Sequence, residues 1–334
     1  MGTQVSTPFS CMKQLSVWLV ALTTFAAGVC AGVELPVDPA VRSAGMSGAP
    51  PILRALDIQC KLVDARYIKP YIQPGTSARE RPSNDVMATG ATESVYAVPD
   101  EYDWVLSERY EVACEGGLGY VLIAGNNRTG VQASRKSQAY LCVEAAQMST
   151  GKAVKVGSDA ILANALAEQH CVLPENSEEA QHKALAALAM RGGASCDVRQ
   201  MRAAGRAGSN AYVDLACADG TGVLLAMAFP VKPDSAVQAA PCFAIPESSG
   251  VQCQLVPRAQ SIAAVDALMA RSGADCRVAN RRLVGAMRNG DSLYEYACEG
   301  GQGYILRTDT QGGIVGGIDC NDAEAEPLGG CKLR

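Results

Sequence analysis

The chain has 334 residues, with 29 lysines and arginines against 34 aspartates and glutamates, a net charge of −5, 5% aromatic residues and 2 histidines. Mild acidity on a chain of ordinary apolar content suits solubility rather than contact with a phosphate backbone or an anionic membrane, so no nucleic-acid partner is expected. So few imidazoles leave little with which to hold zinc or copper.

At the start, Lys13 precedes an apolar run from Leu15 to Ala27, and Val29-Cys30-Ala31 offers small residues to a signal peptidase, so residues 1–31 read as an export signal. The run is short for a membrane span and no later segment holds about twenty uninterrupted apolar residues, so no transmembrane segment is expected. Val29 stands where a lipid-anchor motif wants a small residue, which argues against acylation of Cys30. Cleavage removes Cys11 and Cys30 from the 14 cysteines and leaves an even set, as in the disulfide framework of a periplasmic or secreted protein. No two cysteines have the Cys-x-x-Cys spacing of a metal site, and neither a metal nor a cofactor is expected.

One phrase is written three times. Tyr110-Glu-Val-Ala-Cys-Glu-Gly-Gly-Leu-Gly-Tyr120 returns as Tyr294-Glu-Tyr-Ala-Cys-Glu-Gly-Gly-Gln-Gly-Tyr304, and more loosely as Val213-Asp-Leu-Ala-Cys-Ala-Asp-Gly-Thr-Gly-Val223. Apolar side chains alternate through Tyr110, Val112 and Cys114, which is the period of a half-buried strand. Gly116-Gly117, Asp219-Gly220 and Gly300-Gly301 supply turn residues, and an apolar return strand follows each. A phosphate-binding loop would need a helix directly after its glycines, where a strand comes instead.

Aligning the copies on Cys114, Cys217 and Cys298 brings the other cysteines into line. Cys60, Cys196 and Cys276 open a strand before the phrase; Cys142, Cys242 and Cys320 follow it; Cys171, Cys253 and Cys331 each begin a Cys-x-Leu, expected as a strand that closes the unit. The fold expected is α+β: three tandem disulfide-stapled units, each a helix followed by a small antiparallel β-meander. Unit 1 spans 32–173, with insertions at 69–103 and 143–170; unit 2 spans 174–255 and unit 3 spans 256–334. Asn176 to Glu179 reads as a capping box for a helix over Ala180 to Met190 that Gly192-Gly193 ends, and Ser261 to Arg271 repeats the pattern. In unit 1, Pro50-Pro51 is expected to break any helix between Pro39 and Leu56. The second insertion has a helical composition over Ser158 to Gln169, and Asn127-Arg-Thr129 is a sequon discounted for a bacterial exported chain.

In an up-and-down meander, the first cysteine opens strand one and the second closes strand two, at one end of neighbouring strands about 4.8 Å apart. The third and fourth lie further across the sheet and close to each other in sequence. The expected bonds are Cys60 with Cys114, Cys142 with Cys171, Cys196 with Cys217, Cys242 with Cys253, Cys276 with Cys298, and Cys320 with Cys331. Each would add roughly 2–4 kcal/mol to units whose cores are small.

The order of a helix then three strands, with the Tyr-Glu-Val-like strand and Thr129-Gly130 or Gly312-Gly313 in the following turn, resembles the PepSY domains of peptidase propeptides. The resemblance covers about half of each unit and implies a binding or inhibitory role by analogy of fold.

An arginine recurs six residues after each first cysteine (Arg66, Arg202, Arg282), and an acid three before each central one (Glu111, Asp214, Glu295). Alternation places the arginine and the acid on opposite faces, so direct pairing needs a bulge; a cross-strand ion pair on a solvated face is the expected role. His170 adjoins Cys171, His182 lies on a helix, and neither has a nucleophile elbow near it. Trp104 is the one tryptophan left after processing, too few aromatics for a sugar-stacking cleft. The function expected is that of a non-catalytic exported module that binds or inhibits another envelope or secreted protein. The alternative is a hydrolase-like envelope enzyme with its site between units.

Overall fold

Each copy of the repeated phrase spans the second and third strands of a four-stranded antiparallel sheet in the computed structural model, which describes residues 37–74, 104–125, 136–149, 171–232, 234–322, 325 and 331–333. The expected export signal, residues 75–103 of the first insertion, the helix over Ser158 to Gln169, the sequon at Asn127 and His170 lie outside these. The first sheet holds β1 (Leu62–Pro74), β2 (Trp104–Cys114), β3 (Tyr120–Ile123) and β4 (Gln138–Leu141). The second holds β5 (Val198–Ala207), β6 (Asn210–Cys217), β7 (Gly222–Ala228) and β8 (Val237–Pro241). The third holds β9 (Val278–Ala286), β10 (Ser292–Cys298), β11 (Gly303–Thr308) and β12 (Ile314–Asp319). Strand order within each sheet follows chain order, so all three are up-and-down meanders. The fold is therefore α+β, built of repeated disulfide-stapled units.

A helix precedes each sheet: α1 (Pro39–Ala55), α3 (Glu178–Arg191) and α4 (Arg258–Arg271), while a further helix, α2 (Cys142–Ser149), follows β4. The expectation that Pro50-Pro51 breaks the first helix is wrong: α1 runs through both prolines. Losing two backbone donors and crowding the preceding turn costs about 3 kcal/mol or more, but Ala49, Ile52 and Leu53 are buried on the same helix, and Gly45 lies hard against the Ala65 backbone. Met46 and Ser47, whose carbonyls lose their donors, are exposed. In α3 the cap is Ser177, which accepts from the Ala180 amide, and not Asn176, whose side chain is used elsewhere.

The expected insertion at 69–103 begins too early, since β1 continues to Pro74, opposite Trp104. Pro70 falls in a register irregularity between Ile68 and Tyr71 and Pro74 at the end of an edge strand, the two places in a sheet where proline is tolerated. The insertion expected at 143–170 likewise opens inside α2, where Val143, Glu144 and Ala145 are buried.

Side-chain alternation divides every sheet into two faces. Tyr294 and Tyr296 of β10 point to α4, where the Tyr296 hydroxyl donates to Val265 O at 2.8 Å and burial raises its phenol pKa. Leu293 points the other way, into a cluster with Cys320 and Cys331. The corresponding division in β6 puts Val213 and Leu215 with the helix and Tyr212 with Cys242 and Cys253.

The units join by passing one apolar residue forward. Val143, directly after Cys142, belongs to a buried cluster shared by the first two sheets, and Phe243, directly after Cys242, belongs to the core of the third with Val265, Leu268 and Tyr294. The residue after Cys320 is the exposed Asn321. The third unit thus passes no apolar residue forward at this position.

Candidate functional site

The recurring arginine and acid do meet, through the bulge that alternation requires. Each first strand skips a residue in register three after its first cysteine, at Val63, Arg199 and Ala279, and this sets Arg66 opposite Glu111, Arg202 opposite Asp214 and Arg282 opposite Glu295. The expected solvated face is wrong. Glu111 and Asp214 are 0% exposed and Glu295 is 1% exposed. A carboxylate at such depth must have its oxygens satisfied, and the donors come from the Cys-x-Leu segment.

Glu111 accepts from the Val172 and Leu173 amides at 2.8–3.0 Å, from Asn176 Nδ2 at 2.9 Å and from Arg66 Nε at 2.5 Å. Asp214 Oδ2 accepts from the Gln254 and Leu255 amides at 2.6 and 2.9 Å. Glu295 Oε1 accepts from the Lys332 and Leu333 amides at 2.6 and 2.7 Å, and Oε2 pairs with Arg282. In all three units the carboxylate clasps the two amides that follow the fourth cysteine. The expected closing strand is absent, because those amides point at one carboxylate instead of a neighbouring strand; the segment is an irregular strap.

The six disulfides frame this clasp. Cys60–Cys114, Cys196–Cys217 and Cys276–Cys298 join strands one and two, while Cys142–Cys171, Cys242–Cys253 and Cys320–Cys331 tie the strap to the end of strand four. Each strap disulfide lies with its carboxylate inside a 4.8 Å cluster, but bonded sulfurs carry no thiolate charge and the carboxylate oxygens already accept amides. The arrangement holds backbone, and does not offer a metal set. It also explains the last glycine of the phrase: a Cβ on Gly222 or Gly303 would lie 2.7 or 2.8 Å from the sulfur of Cys242 or Cys320.

Unit 2 departs in one respect. Its acid is an aspartate, one methylene shorter, and it reaches the strap but not the arginine. Asp214 Oδ1 and Arg202 Nε are buried without a hydrogen-bond partner among the described residues. Asp214→Glu is expected to close this gap and raise the chemical-denaturation stability by about 1 kcal/mol; a fall in stability would mean that the site has no room for the longer acid.

His182 on α3 stands 3.6 Å from Glu178, one turn back on its own helix, and is charged in that pair only when protonated. Sequence reasoning missed a groove between the second and third sheets. It has a volume of about 510 Å3 and is walled by Gly192 and Gly193 after α3, Ala239 and Pro241 of β8, and Asn280 to Gly285 of the edge strand β9. Arg258, Arg281 and Arg282 face it, and among the described residues its lining contains no Ser, Cys, His, Asp or Glu that could serve as nucleophile or general base. Arg281 forms a 2.6 Å ion pair with Asp266 that is not aligned as a hydrogen bond, and burial raises the Asp266 carboxyl pKa against the opposing pull of Arg281.

The first junction is filled where the second is open. Phe229 and Val231, in the loop between β7 and β8, pack on the shared core; Tyr120 meets Phe229 edge-on at 6.3 Å. Arg206 stacks on Phe229 at 3.7 Å and pairs with Glu144 of α2 at 2.6 Å. The loop between β11 and β12 is shorter and turns to Asp197 instead, through Gln311. No known family profile, curated protein or solved structure matches the chain.

Proposed function

We propose that the protein is an exported, non-catalytic repeat protein that binds a partner protein of the envelope or the extracellular space, by taking an extended segment of that partner into the groove beside β9. The observation that carries this reading is an edge strand along a groove whose lining, among the described residues, has no nucleophile or general base. The outward backbone groups of an edge strand are a template for another strand, and strand addition is a common mode of peptide recognition. Six disulfides suit an oxidising compartment, which supports export. No helix among the described residues is long and apolar enough to cross a membrane.

Ala244 lines the groove and is exposed, so a tryptophan there blocks the groove without disturbing the core. Panning a random peptide library against the folded chain is expected to enrich peptides that bind the wild type and fail on Ala244→Trp. No enrichment, or equal binding to the variant, would overturn the reading.

A further inference from the structure

We infer that the segment taken into this groove carries an aromatic residue that stacks on Arg258 and, two positions further on, a branched aliphatic residue on the same face. This rests on the reading above that the groove receives an extended segment. The chain holds its own template, because the two junctions correspond residue by residue. Asp57 and Gly193 each stand three residues before a first cysteine and both have positive φ; Ala139 and Ala239 stand three before a third cysteine, and Glu144 and Ala244 two after it. In the first junction the chain itself occupies this place: Lys232 pairs with Asp57, Phe229 and Val231 pack on the shared core, and the Tyr120 hydroxyl donates to Val231 O at 3.5 Å. In the second, the loop between β11 and β12 turns to Asp197, and the two acids that hold the internal contacts, Asp57 and Glu144, are replaced by Gly193 and Ala244. The groove thus corresponds to the place that Phe229 to Lys232 fill one unit earlier.

The arginines of the groove are paired with acids, and so is the arginine of the filled junction. Arg206 pairs with Glu144 at 2.6 Å while its guanidinium lies 3.7 Å from the centre of the Phe229 ring. A guanidinium bonds acids through its edge and stacks on rings through its plane, so an ion pair does not use up the stacking face. Arg258 offers that face to the groove. Its Nε donates to Phe243 O at 3.1 Å, beside Ala244, it meets Glu247 at 3.8 Å, and its side chain stays 43% exposed. Residues two apart in an extended segment share a face. From an aromatic ring over Arg258, the next residue on that face reaches the apolar stretch of the lining at Ala239 and Leu283, the latter packed on the cores of units 2 and 3.

The test is a set of synthetic eight-residue peptides that differ at one position, with Phe-Thr-Val, Leu-Thr-Val or Ser-Thr-Val at the centre; threonine stands where the chain has Pro230, so that every amide is available to the ladder. The phenylalanine peptide is expected to bind the full chain roughly fivefold more tightly than the leucine peptide. The serine peptide should be the weakest, roughly tenfold or more below the phenylalanine peptide, and Ala244→Trp should abolish binding of all three. Arg258→Lys and Arg258→Ala, each checked for an unchanged melting temperature, should shrink and erase the difference between phenylalanine and leucine. Equal binding of those two peptides, lost in Ala244→Trp, or a difference that survives Arg258→Ala, would overturn the aromatic preference and leave the extended-segment reading standing. Binding of none would remove both. Displacement of the phenylalanine peptide by N-acetylphenylalanine amide at matching concentration would show a small aromatic site and overturn the segment inference.

Discussion

Glu111→Ala is expected to lower the stability of the chain by about 3–5 kcal/mol, the range for removing one partner of a buried ion pair. The loss has identifiable parts. The Val172 and Leu173 amides and the Asn176 side chain would lose their common acceptor, and Arg66, 16% exposed, would lose its carboxylate. Glu111→Gln keeps an acceptor oxygen of the same reach and should cost less, about 1–3 kcal/mol. Chemical denaturation of the two variants measures the difference. A loss of under about 1 kcal/mol for alanine would mean that water substitutes for the carboxylate and that the clasp is incidental.

The second large effect is expected from Cys60→Ser with Cys114→Ser. This bond closes a separation of 54 residues, against 11 for Cys242–Cys253. On the chain-entropy account, removing it costs about 4 kcal/mol, and removing the shorter one about 3 kcal/mol. The bond also pins the end of β1 to β2 beside the bulge at Val63, so its loss should loosen the register that brings Arg66 to Glu111. The melting temperatures of the two double variants test the order, and an inverted order would show that strain or residual structure outweighs loop length.

What was legible in the sequence was whatever repeats locally. Alternation in Tyr294 and Tyr296, the glycine turns and the cysteine spacing together give the strands, and Gly116, Gly220 and Gly301 do adopt the positive φ that such turns need. The role of the acids was only half legible. Their fixed offset from the central cysteine, and the need for a bulge, can be read directly; that the same side chain would hold Val172, 61 positions away, cannot, because no local pattern links the two. The recurring Cys-x-Leu was the available clue. The first helix was missed because Pro50 and Pro51 contradict local propensity and only tertiary burial of Ile52 and Leu53 offsets them. The groove was invisible for a different reason. It depends on how two junctions differ, and on the path of the loop carrying Phe229 relative to the loop carrying Gln311, which no single stretch encodes.

The claim that organises the fold is that a buried carboxylate in each unit clasps the strap by two amides, and amide hydrogen exchange at Lys332 and Leu333 tests it most directly. These two residues lie in an irregular segment outside any helix or strand, where backbone amides without a protein acceptor ordinarily exchange almost as fast as in an unfolded chain. The clasp on Glu295 predicts slow exchange at both, comparable to the β10 amides and abolished in Glu295→Ala. Exchange at unfolded-chain rates in the wild type would contradict it.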